Sequence, residues 1–228
     1  QNTFEAVWLS YAFDDSLNLE IGNVRRWAGF DSGTDLDEFK DASNDDGVFA
    51  LGAAYQLNEN WGLNAWYYDF DESYTQLYLD AIYAKDNLEV GLQFSHLNES
   101  NSSSIDGSVY GLSTAYAFGD LSLSAAINQV SNNNGDSVSN GLGGGNYFTS
   151  MDEVTIDGLT DAKSYLVAAD YSVTDNLSIS LAVGHFEDEN KATADISETD
   201  FVLNYAFNDQ AELEYVYADV DNDAAPTD

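Results

Sequence analysis

Six carboxylates, Glu20, Asp80, Glu89, Asp170, Glu212 and Glu214, fall on one parity of runs that alternate apolar and polar residues. Arg26 stands nearly alone among them as a base. Carboxylates ranged along a wet wall attract cations and take the place of part of their hydration water. The plainer reading is that any hydrated sheet face needs polar residues, whatever it does. Arg25 and Arg26 end a run beside Trp27. Opposite parities put Arg26 with the carboxylates and Arg25 outward, where a guanidinium at an apolar boundary reaches toward phosphate.

Further acids crowd the segments between runs. Asp35, Asp37, Glu38, Asp41, Asp45 and Asp46 lie in one, and Asp219, Asp221 and Asp223 form a D-x-D-x-D in the closing segment ADVDNDAAPTD. Hard cations such as Ca²⁺ want several oxygens from one compact loop. The second run lacks the glycine and the glutamate that complete an EF-hand loop, so solvated acids are the simpler reading and Ca²⁺ the sharper one. His96 and His185 share the apolar parity on runs that are not neighbours, which argues for an interfacial role over a metal pair. No nucleophile–base pair, phosphate loop or carboxylate dyad rises above the background of abundant Ser, Asp and Glu. The chain reads as a non-enzyme that needs no cofactor.

The elements that position these residues repeat. Six runs end on a tyrosine followed by an Asp/Asn-type turn: VWLSYAF at Tyr11, FALGAAYQL at Tyr55, LYLDAIYAK at Tyr83, YGLSTAYAF at Tyr116, YLVAADYSV at Tyr171 and FVLNYAF at Tyr205. After each turn a second alternating run climbs away. Hairpin chemistry and period-two alternation place twelve strands, at about 3–13, 16–27, 46–57, 60–70, 73–85, 87–97, 107–118, 120–130, 162–173, 176–186, 197–207 and 210–219. Short turns alternate with longer loops at 28–45, 98–106, 131–161 and 187–196. Tyr11, Phe13, Tyr55, Tyr116, Phe118, Tyr171, Tyr205 and Phe207 fall on the apolar face at the turn ends, where an aromatic girdle sits in a membrane barrel. Trp27, Phe94 and His185 mark the other rim. The fold class expected is an all-β, transmembrane antiparallel β-barrel, with residues 1–228 forming one barrel portion. The first run begins, and the last ends, at the level of the long loops, so the portion is expected to be internal to a larger barrel.

Composition agrees. The formal charge is −35, with 6 Lys+Arg, which excludes a nucleic-acid partner; 15 Tyr, 12 Phe and 4 Trp exclude an acidic disordered chain. The absence of cysteine decides nothing, and no apolar run approaches the roughly 20 residues of a spanning helix. A chain of this pattern meets a membrane only as a closed barrel. The competing architecture is a soluble or surface-attached acidic β-protein, adhesin-like and calcium-loaded, in which the same apolar face would be a dry core.

The order of elements is itself informative. SNDDGVFALGAAYQL leads into WGLNAWYYDFDESYTQLYLDAIY and then the glycine-rich GLGGGNYFTSMDEVTIDGLTDAKSYLVAADYSV. Over most of residues 46–219 this resembles the C-terminal two-thirds of an OprD-like porin, a family of eighteen-stranded outer-membrane channels. The resemblance implies passive diffusion of small polar solutes, often carboxylates or amino acids. It also implies contact with outer-membrane lipid and lipopolysaccharide; a homo-oligomer is left open. The family's constricting loop belongs to a more N-terminal part, and its basic ladder has few counterparts here. The long loop at 131–161 is expected to fold over the channel mouth, with Tyr147, Phe148, Met151, Val154 and Ile156 as the residues it can bury.

Overall fold

The computed structural model describes residues 2–29, 32–100, 104–132, 135–139, 141, 147–188, 195–208 and 210–222. They form one antiparallel sheet. Its strands are β1 (Asn2–Ala12), β2 (Leu17–Gly29), β3 (Lys40–Asp41), β4 (Val48–Asn58), β5 (Trp61–Phe70), β6 (Tyr74–Lys85), β7 (Leu88–Glu99), β8 (Gly107–Phe118), β9 (Leu121–Ser131), β10 (Ala162–Thr174), β11 (Leu177–Asp188), β12 (Asp195–Asn208) and β13 (Ala211–Asn222). Every long strand pairs with its sequence neighbour, and β3 is a two-residue addition to β2. The twelve long strands are the twelve that alternation predicts. β1 and β13 are the two edges of the path, with no ladder between them.

The turns follow from local chemistry. Asp86 and Gly119 take positive φ at the first position of two-residue turns, the conformation that glycine and short polar residues adopt at least cost. In the first turn Asp14 Oδ1 accepts from Ser16 Oγ (2.7 Å), Ser16 N (2.8 Å) and Leu17 N (2.9 Å). The Ser16 hydroxyl, and then its backbone N–H, hold the Asp14 carboxyl below the usual carboxylate range.

One face of the sheet is apolar and open. Val7, Leu9, Leu51, Leu92, Leu112, Val167, Leu181 and Val183 are all exposed on it. Sheet order runs continuously between strands carrying these residues, so they form a band and not scattered patches. The opposite face carries the core. Val48 and Phe70 on β4 and β5 share one buried cluster with Leu97, Val109, Val130 and Phe186 on β7 to β11. Strands so distant in sheet order meet in one cluster because the sheet curves around Val138, Tyr147, Ile156 and Leu159 from the 131–161 connection. The concave face is therefore the inner one, and the apolar band faces out. A sandwich core would require the reverse.

A β-bulge corrects the sequence reading at one place. The β1–β2 register jumps between Glu5↔Arg26 and Ala6↔Val24, leaving Arg25 unpaired. Above it the parity reverses. Arg26 shares the outward face of Glu5, its ion-pair partner at 3.5 Å, and leaves the row of inner carboxylates that its spacing predicts for it. Trp27, expected on the outer rim, turns inward and stacks on Phe4. Period-two counting cannot see the one extra residue.

Candidate functional site: the inner wall and its infolded segment

The inner parity carries Glu20, Asp80, Glu89, Asp170, Glu212 and Glu214 on five strands, the last two together on β13. Three of them are oriented by neighbours. Glu20 Oε2 accepts from Trp8 Nε1 at 2.6 Å, Asp80 Oδ1 from Asn64 Nδ2 at 2.8 Å, and Asp170 Oδ1 from Ser180 Oγ at 2.6 Å. Glu89 faces inward between Ala84 and Ala115, and Glu212 and Glu214 do so opposite Ala206 and Asn204. The bases of the long strands are elsewhere. Arg25 meets Asp46 at 3.5 Å, and Lys85 and Lys163 share the outward parity of Tyr83 and Tyr165; Lys40, on the short β3, pairs with the inward Trp27 and lies over its ring near the loops. Among the described residues, then, the inner face of the long strands holds acids and no Lys or Arg.

The segment from Tyr147 to Thr160 packs against this wall, as its apolar residues predict. The partners that hold it were not legible. Phe148 N donates to Gln93 Oε1 (3.2 Å), and Thr149 N to Asn128 Oδ1 (3.0 Å). Glu198, wholly buried, accepts from Glu153 N through one oxygen (2.8 Å) and from Val154 N through the other (2.7 Å). Asp200 Oδ2 accepts from Asp152 N (3.3 Å), and Asp188 from Thr160 N (2.9 Å) and its hydroxyl. Buried backbone N–H groups demand acceptors, and carboxylates are the strongest available. The signal that could have found them is the run SETD, where Glu198 and Asp200 alternate on the polar parity in the middle of a strand pattern. Small residues make the room. A Cβ at Gly91 would crowd Phe148, and one at Gly184 would overlap Met151.

Tyr147 anchors the segment. Its hydroxyl donates to the Ser139 carbonyl at 3.0 Å and accepts from Gln76 Nε2 at 3.3 Å. Burial pushes the phenol up to about 12 from its ordinary 10.0. The folded form thus holds this proton more tightly than the unfolded chain. Its contribution is complete below pH 10 and is lost as the pH rises through about 12. Tyr147→Phe is expected to cost about 1 kcal/mol of docking and to remove the alkaline loosening assigned to this residue. Current noise of reconstituted channels between pH 9 and 12 compares the two proteins; identical profiles would show that Tyr147 does not set that loosening.

The aromatic residues singled out in the sequence sit near the turns of their strands. Tyr11, Phe13, Tyr55, Tyr116, Phe118, Tyr171 and Phe207 are exposed at the turn ends of their strands, and Tyr205 is half-buried against Phe207. Phe94 and His185 take the outward parity nearer the loops. The acidic runs do not converge. Asp35 and Asp37 are exposed in their loop, while Asp219 and Asp221 are drawn out along β13 opposite Thr199 and Ser197. Asp223 lies outside the described residues. Among those described, no three Asp, Glu or His side chains gather as a metal site requires.

The sequence pattern of the Gram-negative porins matches residues 9–158, more than half of the chain. The chain belongs to that family. Its place is the bacterial outer membrane. No curated protein sequence matches the porin significantly. Solved structures do match it in fold. OccAB4 of Acinetobacter baumannii superposes with a TM-score of 0.78 at 18% identity, over 98% of this chain and 62% of that one. OpdQ of Pseudomonas aeruginosa gives 0.80 at 17%, over 98% and 68%. A BenF-like porin from Pseudomonas fluorescens Pf-5 gives 0.78 at 16%, over 98% and 64%. The porin thus spans 62% of the length of the first of these and 68% of the second, and what it shares with them is the fold.

Proposed function

We propose that the protein forms the wall of a water-filled outer-membrane channel through which small polar solutes diffuse down their gradients, with cations favoured over anions. The observation that carries the reading is the segregation of charge. Glu20, Asp80, Glu89, Asp170, Glu212 and Glu214 share the inner parity, and the described Lys and Arg side chains of the long strands do not. A low-dielectric wall behind one sign of charge strengthens its field in the lumen. The exposed aromatics at the turn ends supply the contact with lipid, ring in hydrocarbon and hydroxyl in the headgroups. The loop-end face meets lipopolysaccharide.

Reversal potential in a salt gradient tests the charge argument. The unmutated channel is expected to prefer cations. Asp80→Asn, Glu89→Gln and Asp170→Asn together should bring the permeability ratio down by roughly two-fold or more. Anion preference in the unmutated channel would sink the reading.

A further inference from the structure

The inner wall carries a feature that charge does not explain. Trp8 on β1 and Trp66 on β5 are separated by two strands, yet their ring centroids are 6.0 Å apart. They meet because β2 and β4 each place a glycine beneath a ring. A Cβ at Gly22 would overlap the six-membered ring of Trp8, and one at Gly52 that of Trp66. Each indole therefore lies flat on the sheet with its other face toward the lumen. Tyr68 continues the row 5.8 Å from Trp66, with the two ring planes within 9° of parallel. Phe70 follows at 6.4 Å and packs on Tyr74 at 4.2 Å, both buried where Ser139 and Gly141 cover them. The open part of the row, Tyr68–Trp66–Trp8, thus leads from the infolded segment onto the bare wall.

Polar groups border it. Glu20 is fixed against the Trp8 indole, and Asn64 and Asp80 stand one inner position below Trp66. Resting Trp8 41% exposed against water is costly for so large an apolar surface unless something uses it.

We propose that this row is a binding track for pyranose sugars, and for linear oligosaccharides in particular, within the channel reading on which it rests. A pyranose presents a flat face of C–H groups and an edge of hydroxyls. The flat face covers an aromatic ring and removes both from water. The edge hydroxyls donate to the Glu20 and Asp80 carboxylates and exchange hydrogen bonds with the Asn64 carboxamide. The spacing lets one sugar unit reach the next ring before the previous contact is given up, so the solute moves by small steps instead of one large desorption. An organic ammonium is the competing ligand, because carboxylates and aromatic faces both attract it. A compact cation is best held by rings that surround a point, whereas these rings pave a single wall.

The test is sugar-induced interruption of ion current through the porin in planar bilayers, with maltohexaose and cellohexaose as probes and tetramethylammonium as the cationic control. Concentration-dependent interruption by a hexaose is expected. Trp66→Ala and Trp8→Ala should each weaken it on the order of ten-fold, and Trp66→Phe, which keeps a ring, by less. Tyr110→Ala, on the outward face, should leave it unchanged. Quenching of tryptophan fluorescence by the hexaoses gives a second readout, independent of pore gating. Absence of any ion current would overturn the channel reading. Steady current without interruption or quenching by either hexaose would overturn the track alone. Block by tetramethylammonium with none by sugar would overturn the sugar assignment in favour of organic cations.

Discussion

Replacing Leu181 with arginine is expected to abolish assembly into the outer membrane, while replacing its neighbour Ser180 with arginine leaves a folded and functional channel. The two positions are adjacent on β11, near its middle, and face opposite ways. Leu181 is 48% exposed on the outward apolar band, paired with Ala169 and Phe201. A guanidinium there must sit in hydrocarbon, at about 2–4 kcal/mol near the bilayer midplane. That is a large fraction of the marginal stability of most folded domains. Ser180 faces the lumen, where its hydroxyl already donates to Asp170. An arginine at 180 would meet that carboxylate in water and neutralise one charge of the wall. Heat-modifiable migration in gels separates folded from unfolded barrel, and reversal potential reads the charge. The expected pair is loss of the folded band for Leu181→Arg, and a folded band with reduced cation preference for Ser180→Arg. Equal tolerance of both substitutions would mean that the apolar band does not face lipid.

That contrast was legible in the sequence because a strand's side chains alternate with period two. The runs LSISLAV and LEVGLQF already state which residues share a face, and the six tyrosine-ended repeats state where each strand turns. What escaped is whatever depends on a partner strand. The bulge at Arg25 adds one residue to β2 with no change in local composition, so counting from Glu20 carries Arg26 to the wrong face. The Trp8–Trp66 contact is equally hidden. It needs Gly22 and Gly52 to lie diagonally across the β2–β4 ladder under two rings, and their pairing with Trp8 and Trp66 is a matter of register. Glycines on the polar parity of a strand are the only local trace of it. The infolded segment falls between these cases. Its glycines and apolar residues predict order and burial, but the carboxylates that receive it lie 28 to 48 residues further along the chain.

Those carboxylates lead to the second large effect. Glu198→Ala is expected to release the infolded segment and raise single-channel conductance, by roughly two-fold if the segment narrows the lumen. The wall would stay intact, because Glu198 lies on β12 with its ladder bonds made by backbone alone. Removing the side chain strands two N–H groups, those of Glu153 and Val154, at a site where Glu198 is wholly buried. An unsatisfied buried donor costs about 1–3 kcal/mol, so two of them rival the segment's net preference for the docked state. The apolar anchors Tyr147, Ile156 and Leu159 oppose full release. The expected channel is therefore open on average but noisy, closing whenever the segment re-docks. Glu198→Gln separates the acceptor role from charge. Its carboxamide oxygen can receive one of the two N–H groups while its nitrogen cannot receive the other, so conductance should fall between those of the alanine variant and the parent. Truncating the anchor as well, with Tyr147→Ala, should remove the noise and leave the higher level. Parental conductance in both Glu198→Ala and the double variant, from channels with a normal heat-modifiable band, would show that the segment rests against the wall without narrowing the path.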